Sequence, residues 1–292
     1  MKKLATRIIQ AIFRSPQGDS GDSDETEQPL DGYDQHRIRI PVVEELDDSD
    51  LGILNDMLPW ASFVVDSRGR RFGKQYSSNK RSNAAQLPDP RIVDFDRRFP
   101  MNGHTVLKLG CFEGNHTVTL CERAERVIAV DSRIENVVKT IVRCTMFGHR
   151  PFVHRLDLEQ ALPDDQTLDC DLLHHIGVLY HLTDPVGHLH MICPKVRQAV
   201  MLDTHVAPEN STLREDYRVH GKIYRYLNFA EGPRSSPFAG MLDHAKWLRE
   251  TDLIQVLHDC GFDEVDVAER RDERNGPRVL IYAARSSETS KT

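Results

Sequence analysis

No apolar run in the chain approaches the roughly 18 residues that a membrane-spanning helix needs, so no transmembrane segment is expected. Positive charge is also in deficit. With 38 Lys and Arg against 45 Asp and Glu the formal net charge is −7, which gives no general attraction to nucleic acid and leaves any such contact to a local basic patch. The six cysteines (111, 121, 144, 170, 193 and 260) contain no CxxC pair and no framework spacing. That excludes a disulfide-stapled scaffold and predicts buried free thiols in a reducing compartment, the cytoplasm. HExxH and tetrahedral Cys/His spacings are missing as well. His174, His175, His181, His188, His190 and His205 do not compensate, because His188 and His190 are two apart in a predicted helix and cannot share a face, so no metal site is expected. No internal repeat is present. Against these absences, 39% hydrophobic residues are ample for a packed core.

Residues 1–14 combine Lys2, Lys3 and Arg7 with Leu4, Ile8, Ile9, Ile12 and Phe13. The apolar stretch is too broken for a signal peptide. It reads as a solvated terminus, with peripheral membrane or partner contact as the alternative. Residues 15–29 have no apolar side chain, so 1–36 is expected to be a basic segment followed by a disordered acidic linker. Residues 37–99 form a cap or acceptor-site region, with a helix start at Asp47-Asp-Ser-Asp50 and a stop at Pro59-Trp60. Within it, 68–81 carries six bases interleaved with Phe72 and Tyr76. Its composition suits either a loop over the mouth of a ligand site or a grip on a phosphate backbone with stacked bases.

From Arg91 the chain alternates regularly between strands and helices. Strands are predicted at 105–109, 126–130, 152–157, 168–176 and 198–203, with a helix at about 89–98 before the first and helices at 115–123, 133–147 and 184–193 among the rest. Residues 206–245 break the rhythm, a helix over 247–260 restores it, and 265–269 with 279–283 make a terminal hairpin. The fold class is therefore α/β: a Rossmann-like, mainly parallel seven-stranded sheet with a C-terminal antiparallel hairpin. It spans 100–286, with 206–245 inserted at a strand end and 287–292 as a tail.

The first strand runs into Leu109-Gly-Cys-Phe-Glu-Gly114, a loop punctuated by Gly110 and Gly114. The second strand ends on Asp131, 21 residues after Gly110, the spacing at which an acid reaches the ribose hydroxyls of a nucleotide. The third ends on Asp157, placed to accept from an adenine amino group. A dinucleotide loop needs G-x-G-x-x-G so that bare backbone can approach a pyrophosphate. Here Phe112 occupies the middle position and Glu113 puts a negative charge where phosphate would lie, a repulsion on the order of 4 kcal/mol at an effective dielectric of 20. S-adenosylmethionine has no phosphate and is cationic at its sulfonium and ammonium, so the loop predicts that cofactor.

These residues resemble the class I S-adenosylmethionine-dependent methyltransferases over about 100–285. Leu-Gly-Cys-Phe-Glu-Gly114 looks like their first motif, Val-Ile-Ala-Val-Asp131 their second and Leu-Asp157 their third. Met57-Leu-Pro-Trp60, Ile176-Gly-Val-Leu-Tyr-His181 with Asp184-Pro185, and the 247–262 helix carry a narrower resemblance, to the bacterial tRNA wobble-uridine carboxymethyl-transfer enzymes and their relatives. Those enzymes use a carboxylated cofactor. Tyr180 matches a family tyrosine and Arg278 a late arginine, but Ala61-Ser62 stands where the family has a lysine for the extra carboxylate, so plain S-adenosylmethionine is expected. Two more departures concern the cofactor's methionine end: Phe112 replaces a glycine, and Lys108 replaces an acid.

Gly110, Glu113, Gly114, Asp131, Asp157 and His175 are the predicted cofactor contacts. Tyr180, His181 and His205 are the candidates for acceptor positioning and proton removal, because imidazole titrates near neutrality. The expected reaction is methyl transfer to an O or N atom of a small-molecule acceptor. Two alternatives stay open: an RNA-modifying enzyme that grips tRNA through 68–81, and a cofactor-binding module that does not turn over.

Overall fold

The structure, a computed structural model, describes residues 37–75, 83–162 and 165–286. The segments 1–36 and 287–292, and positions 76–81 of the basic stretch, lie outside them. The described chain opens with a small unit: β1 (Arg37–Ile38), α1 (Pro41–Glu44), α2 (Asp48–Met57), β2 (Phe63–Asp66) and β3 (Arg71–Gly73), its sheet ordered β1-β2-β3. The Asp47 carboxylate accepts from Asp50 N (2.8 Å) and caps α2, satisfying an end-of-helix donor. Arg70 is built into the unit's interior, donating to Asp66 Oδ2 (2.9 Å) and to the carbonyls of Val43 (3.0 Å) and Leu46 (2.8 Å).

Next come α3 (Pro90–Arg98), β4 (Thr105–Leu109), α4 (Asn115–Cys121), β5 (Arg126–Asp131), α5 (Ile134–Met146), β6 (Phe152–Arg155), β7 (Cys170–Ile176), α6 (Pro185–Ile192) and β8 (Val196–His205). They are followed by β9 (Arg214–Val219), β10 (Lys222–Ala230), β11 (His244–Leu248), α7 (Glu250–Asp259), β12 (Glu264–Glu273) and β13 (Gly276–Ala284). Seven strands form one sheet in the order β12-β13-β8-β7-β4-β5-β6. The pairs within β4–β8 are parallel, and β13 lies antiparallel to both β8 and β12. This is the expected Rossmann-like sheet with its reversed hairpin.

Both faces are covered, which is why the central strands read as unbroken apolar runs. Leu107, Leu109, Leu173, Val200 and Leu202 face one core with α6 and α7. Val106, Leu172, Met201 and Tyr282 face the other with Ile92 and Phe95 of α3. Trp60, Phe72 and Leu54 of the small unit pack with Val118 of α4 and with Cys144 and Met146 of α5.

Two boundaries differ from the sequence reading. The segment 206–245 contains most of an antiparallel sheet, ordered β11-β10-β9, and Trp247 belongs to β11 rather than to a helix. Its indole stacks on Phe229 (4.1 Å) and His205 (4.6 Å), and donates to Tyr180 O (3.0 Å), so tertiary contacts fix an extended backbone there. The terminal hairpin is longer than expected. Its turn falls at Arg274-Asn275, which keeps Arg271 in strand and carries it to Asp203 (2.7 Å).

Candidate functional site

β4 is flanked by β5 on one side and β7 on the other, so the connections leave it in opposite directions and open a crevice at its carboxyl end. A cavity of about 470 Å³ lies there, within the range of small-molecule sites. Gly110 forms its floor. At φ +63°, and with an added Cβ falling 2.4 Å from Val178 Cγ2, a side chain here would be strained and would force Val178 to move. Phe112 adopts φ +51°, a left-handed conformation that costs a bulky residue on the order of 1–3 kcal/mol. Its N–H is held by Asp131 Oδ2 (2.9 Å), and its ring meets Phe238 (5.6 Å) across the cavity.

Asp131 ends β5 and lines the cavity. It accepts from Phe112 N, from Arg133 N (3.0 Å) and from Asn136 Nδ2 (3.0 Å). Burial pushes its pKa up against those hydrogen bonds. A carboxylate offers about four acceptor positions, so one remains for a ligand.

Glu113 is elsewhere. Its carboxylate is fully buried and does not line the cavity. It accepts from Ala61 N (2.7 Å), Ser62 Oγ (2.7 Å) and Lys139 Nζ (2.8 Å), with Arg143 NH2 at 3.7 Å. The charge expected to face a cationic cofactor is spent joining the N-terminal unit to α5, and the electrostatic exclusion of pyrophosphate drawn from it does not apply. Gly114, at φ +83° and close against Thr140, lets α4 approach α5 and is likewise outside the lining.

Asp157 accepts from Glu159 N (3.2 Å) and Ser132 Oγ (3.5 Å), while its neighbours Leu158 and Glu159 line the cavity in its place. His175 is also displaced from the expected role. Alternation along β7 points it to the core opposite the one His174 faces. Its Nε2 lies 3.1 Å from Nε2 of the buried His188.

Tyr180 and His181 do reach the cavity. Arg278 holds its guanidinium 5.1 Å from the Tyr180 ring centroid and also lines the wall. His205 sits behind Tyr180 (4.8 Å) in the stack with Trp247, its Nδ1 donating to Pro277 O (3.1 Å), and does not reach the cavity. His181 Nδ1 lies 2.7 Å from Glu231 Oε1. The other Glu231 oxygen accepts from Gly240 N (2.9 Å), so one carboxylate ties the base of the 231–241 loop to His181. Arg133 holds the same loop through the carbonyls of Arg234 (2.7 Å) and Ala239 (3.0 Å), and Pro237 to Met241 roof the cavity. Neither Glu231 nor Arg133 was singled out from sequence; the 206–245 insertion was the only signal.

Three arginines converge on Asp203: Arg91 (2.9 Å), Arg271 (2.7 Å) and Arg278. Burial alone would raise its pKa, but the guanidinium groups outweigh that and hold it below the usual carboxylate range. Of the basic stretch, Phe72 is fully buried and Lys74 pairs with Asp56 (2.7 Å). Among the described residues no group of three or more His, Cys, Asp or Glu is placed to hold a metal ion.

No protein-family model matches the chain. It is 27% identical over 227 residues to a tRNA U34 carboxymethyltransferase of Shewanella loihica, covering 75% of this chain and 62% of that one. To the same-named protein of Shewanella sediminis it is 29% identical over 180 residues, covering 59% and 50%. The chain thus spans roughly half to three-fifths of the length of these curated relatives. Among solved structures, the N-terminal domain of EvdMO1 with SAH bound superposes with a TM-score of 0.65 at 20% identity, covering 82% of this chain and 98% of that one. The same domain with SAH and D-fucose gives a TM-score of 0.62. The likeness to these solved structures, with the strand order above, identifies the Rossmann-like methyltransferase fold.

Proposed function

We propose that this chain is an S-adenosylmethionine-dependent methyltransferase that acts on an O or N atom of a small-molecule acceptor. The observation that carries this is the placement, in one cavity at the switch point of the sheet, of Gly110, Asp131 and the Glu231-held His181. The residues fit the cofactor. Asp131 has an acceptor position left for a ribose hydroxyl, Gly110 offers backbone without a side chain, and Leu158 supplies an apolar wall. The curated relatives are named as transferases of a related kind, which supports the same chemistry here.

Bound S-adenosylmethionine supplies an electrophilic methyl group. The protein's own work is to position the acceptor, remove its proton and keep water out. His181 Nδ1–H donates to Glu231, which leaves Nε2, without a hydrogen-bond partner among the described residues, as the ring nitrogen that takes the acceptor's proton. Tyr180, held against Arg278, orients the acceptor beside it. The loop 237–241 and the Phe112–Phe238 contact exclude water.

The names of the curated relatives put tRNA forward as a second acceptor class. The surface expected for it is compromised, since Arg70 and Phe72 are committed to the interior of the N-terminal unit. Calorimetric titration should show binding of S-adenosylhomocysteine; heat from NAD and none from S-adenosylhomocysteine would end the proposal. Labelled methyl from the cofactor should enter the small-molecule fraction of a cell extract and resist ribonuclease, whereas label lost to ribonuclease would favour the tRNA reading. His181→Gln should slow label transfer by about 10²-fold or more while leaving S-adenosylhomocysteine affinity within a few-fold. Asp131→Asn should do the reverse, weakening affinity first.

A further inference from the structure

Lys108 lies on β4 two residues before Gly110 and is 2% exposed, yet it lines the cavity. Its ammonium donates to the carbonyls of Leu109 (2.5 Å) and Gly110 (2.8 Å), and among the described residues no carboxylate pairs with it. The acids near enough to act on it through space, Asp131 and Asp89, are engaged already. Asp131 serves Phe112, Arg133 and Asn136; Asp89 serves Arg91 (2.7 Å) and His116 (3.1 Å). The adjacent side chain on β7, His174, is buried with both ring nitrogens unpartnered and offers no negative charge. Arg91, another cation lining the cavity, is neutralised by Asp89 and Asp203. A buried cation with two carbonyl partners and no counter-ion is an expensive arrangement for a resting core, and an ammonium has three protons to donate.

We propose that Lys108 receives a carboxylate of a bound ligand beside the Gly110 loop, making it a specificity-determining residue for a ligand with an amino-acid-like end. Burial brings the Lys108 pKa down to about 8, which leaves the group predominantly cationic at neutral pH. This rests on the methyltransferase reading and deepens it. The carboxylate has two sources: the methionine tail of the cofactor, or an acidic acceptor.

The test compares S-adenosylmethionine with decarboxylated S-adenosylmethionine, which lacks only the carboxylate, by calorimetry on wild type, Lys108→Met and Lys108→Arg. The expected result is a preference of wild type for the intact cofactor of at least tenfold. Lys108→Met should abolish that preference without weakening the decarboxylated form, and Lys108→Arg should keep most of it. If wild type binds both forms equally, but at saturating cofactor Lys108→Met loses label transfer into the anion-exchange-retained small molecules of an extract, the carboxylate belongs to the acceptor. A preference that survives in Lys108→Met overturns the proposal, as does the absence of any preference together with unchanged transfer. Should Lys108→Met fail to fold, Lys108→Gln takes its place, and a preference that survives in Lys108→Gln overturns the proposal. Failure of wild type to bind either compound, or 5′-methylthioadenosine, would instead remove the methyltransferase reading beneath it.

Discussion

Glu113→Gln is expected to lower the melting temperature by on the order of 10 °C, while leaving the cavity wall chemically unaltered. The substitution keeps the side-chain shape but removes the negative charge that Lys139 and Arg143 share inside the protein. Lys139, 2% exposed, would be left as a buried ammonium without a counter-ion. Arg143 would retain the carbonyls of Glu113 (2.6 Å) and Ser62 (3.3 Å) and its position against the rings of Trp60 (4.7 Å) and Phe72 (5.0 Å), but no full charge. Breaking a buried pair from one side costs about 3–5 kcal/mol, and each kcal/mol moves the melting point of a chain this size by roughly 2–4 °C. Adding Lys139→Met should recover much of the loss, because the stranded charge goes with it. An unchanged melting point combined with weaker S-adenosylhomocysteine binding would return Glu113 to the ligand site and refute its role as a clamp.

Glu113 also marks where sequence reasoning stops. Gly110 and Asp131 were legible because their roles are local: a chain reversal straight after a strand, and an acid at a fixed distance along a βαβ unit. The direction of the Glu113 carboxylate depends on Lys139 and Arg143, which lie 26 and 30 residues further on and are brought to it only by α5 packing on α4. His175 failed for a different reason. A strand that continues to Ile176 leaves position 175 inside the sheet, and the two-residue repeat sends it into a core that the sequence gives no way to identify. The sheet within 206–245 was hidden by its turns. Pro233, Pro237, Gly232 and Gly240 dominate the composition, although Tyr217, Tyr224 and Tyr226 are strand-favouring residues and all three are buried. Glu231 comes from that segment, so the partner that orients His181 could not be named before the loop was placed.

Acid should unfold the protein from an unusually high pH, because His174, His175 and His188 are among the histidines buried in neutral form. Burial pushes His174 and His175 well below the ordinary histidine value, and brings His188 down to about 4. The sign follows from proton binding. Below pH 6.5 the unfolded chain takes up protons that these sites refuse when folded, so stability is complete above that value and falls as pH drops, for His188 until about pH 4. Each such group contributes a slope approaching 1.4 kcal/mol per pH unit, and three together approach 4. The contact geometry accounts for the refusal. His175 and His188 face each other Nε2 to Nε2 at 3.1 Å, an arrangement that one proton satisfies as donor and acceptor and a second turns into two opposed donors. Protonating His174 would place charge near Lys108 and Arg91 with nothing to accept its hydrogens. Carboxylates held low by arginines, such as Asp203, add their loss only at still lower pH, so the histidine window is separable. Melting points should drop by roughly 10 °C between pH 7.5 and 5.5, and His188→Gln should flatten the dependence. A profile level down to pH 5 would mean that these imidazoles either find protons tolerable in the folded state or are not enclosed as described. In that case the packing beneath the Tyr180–His181 turn, and with it the orientation assigned to the base, would have to be redrawn.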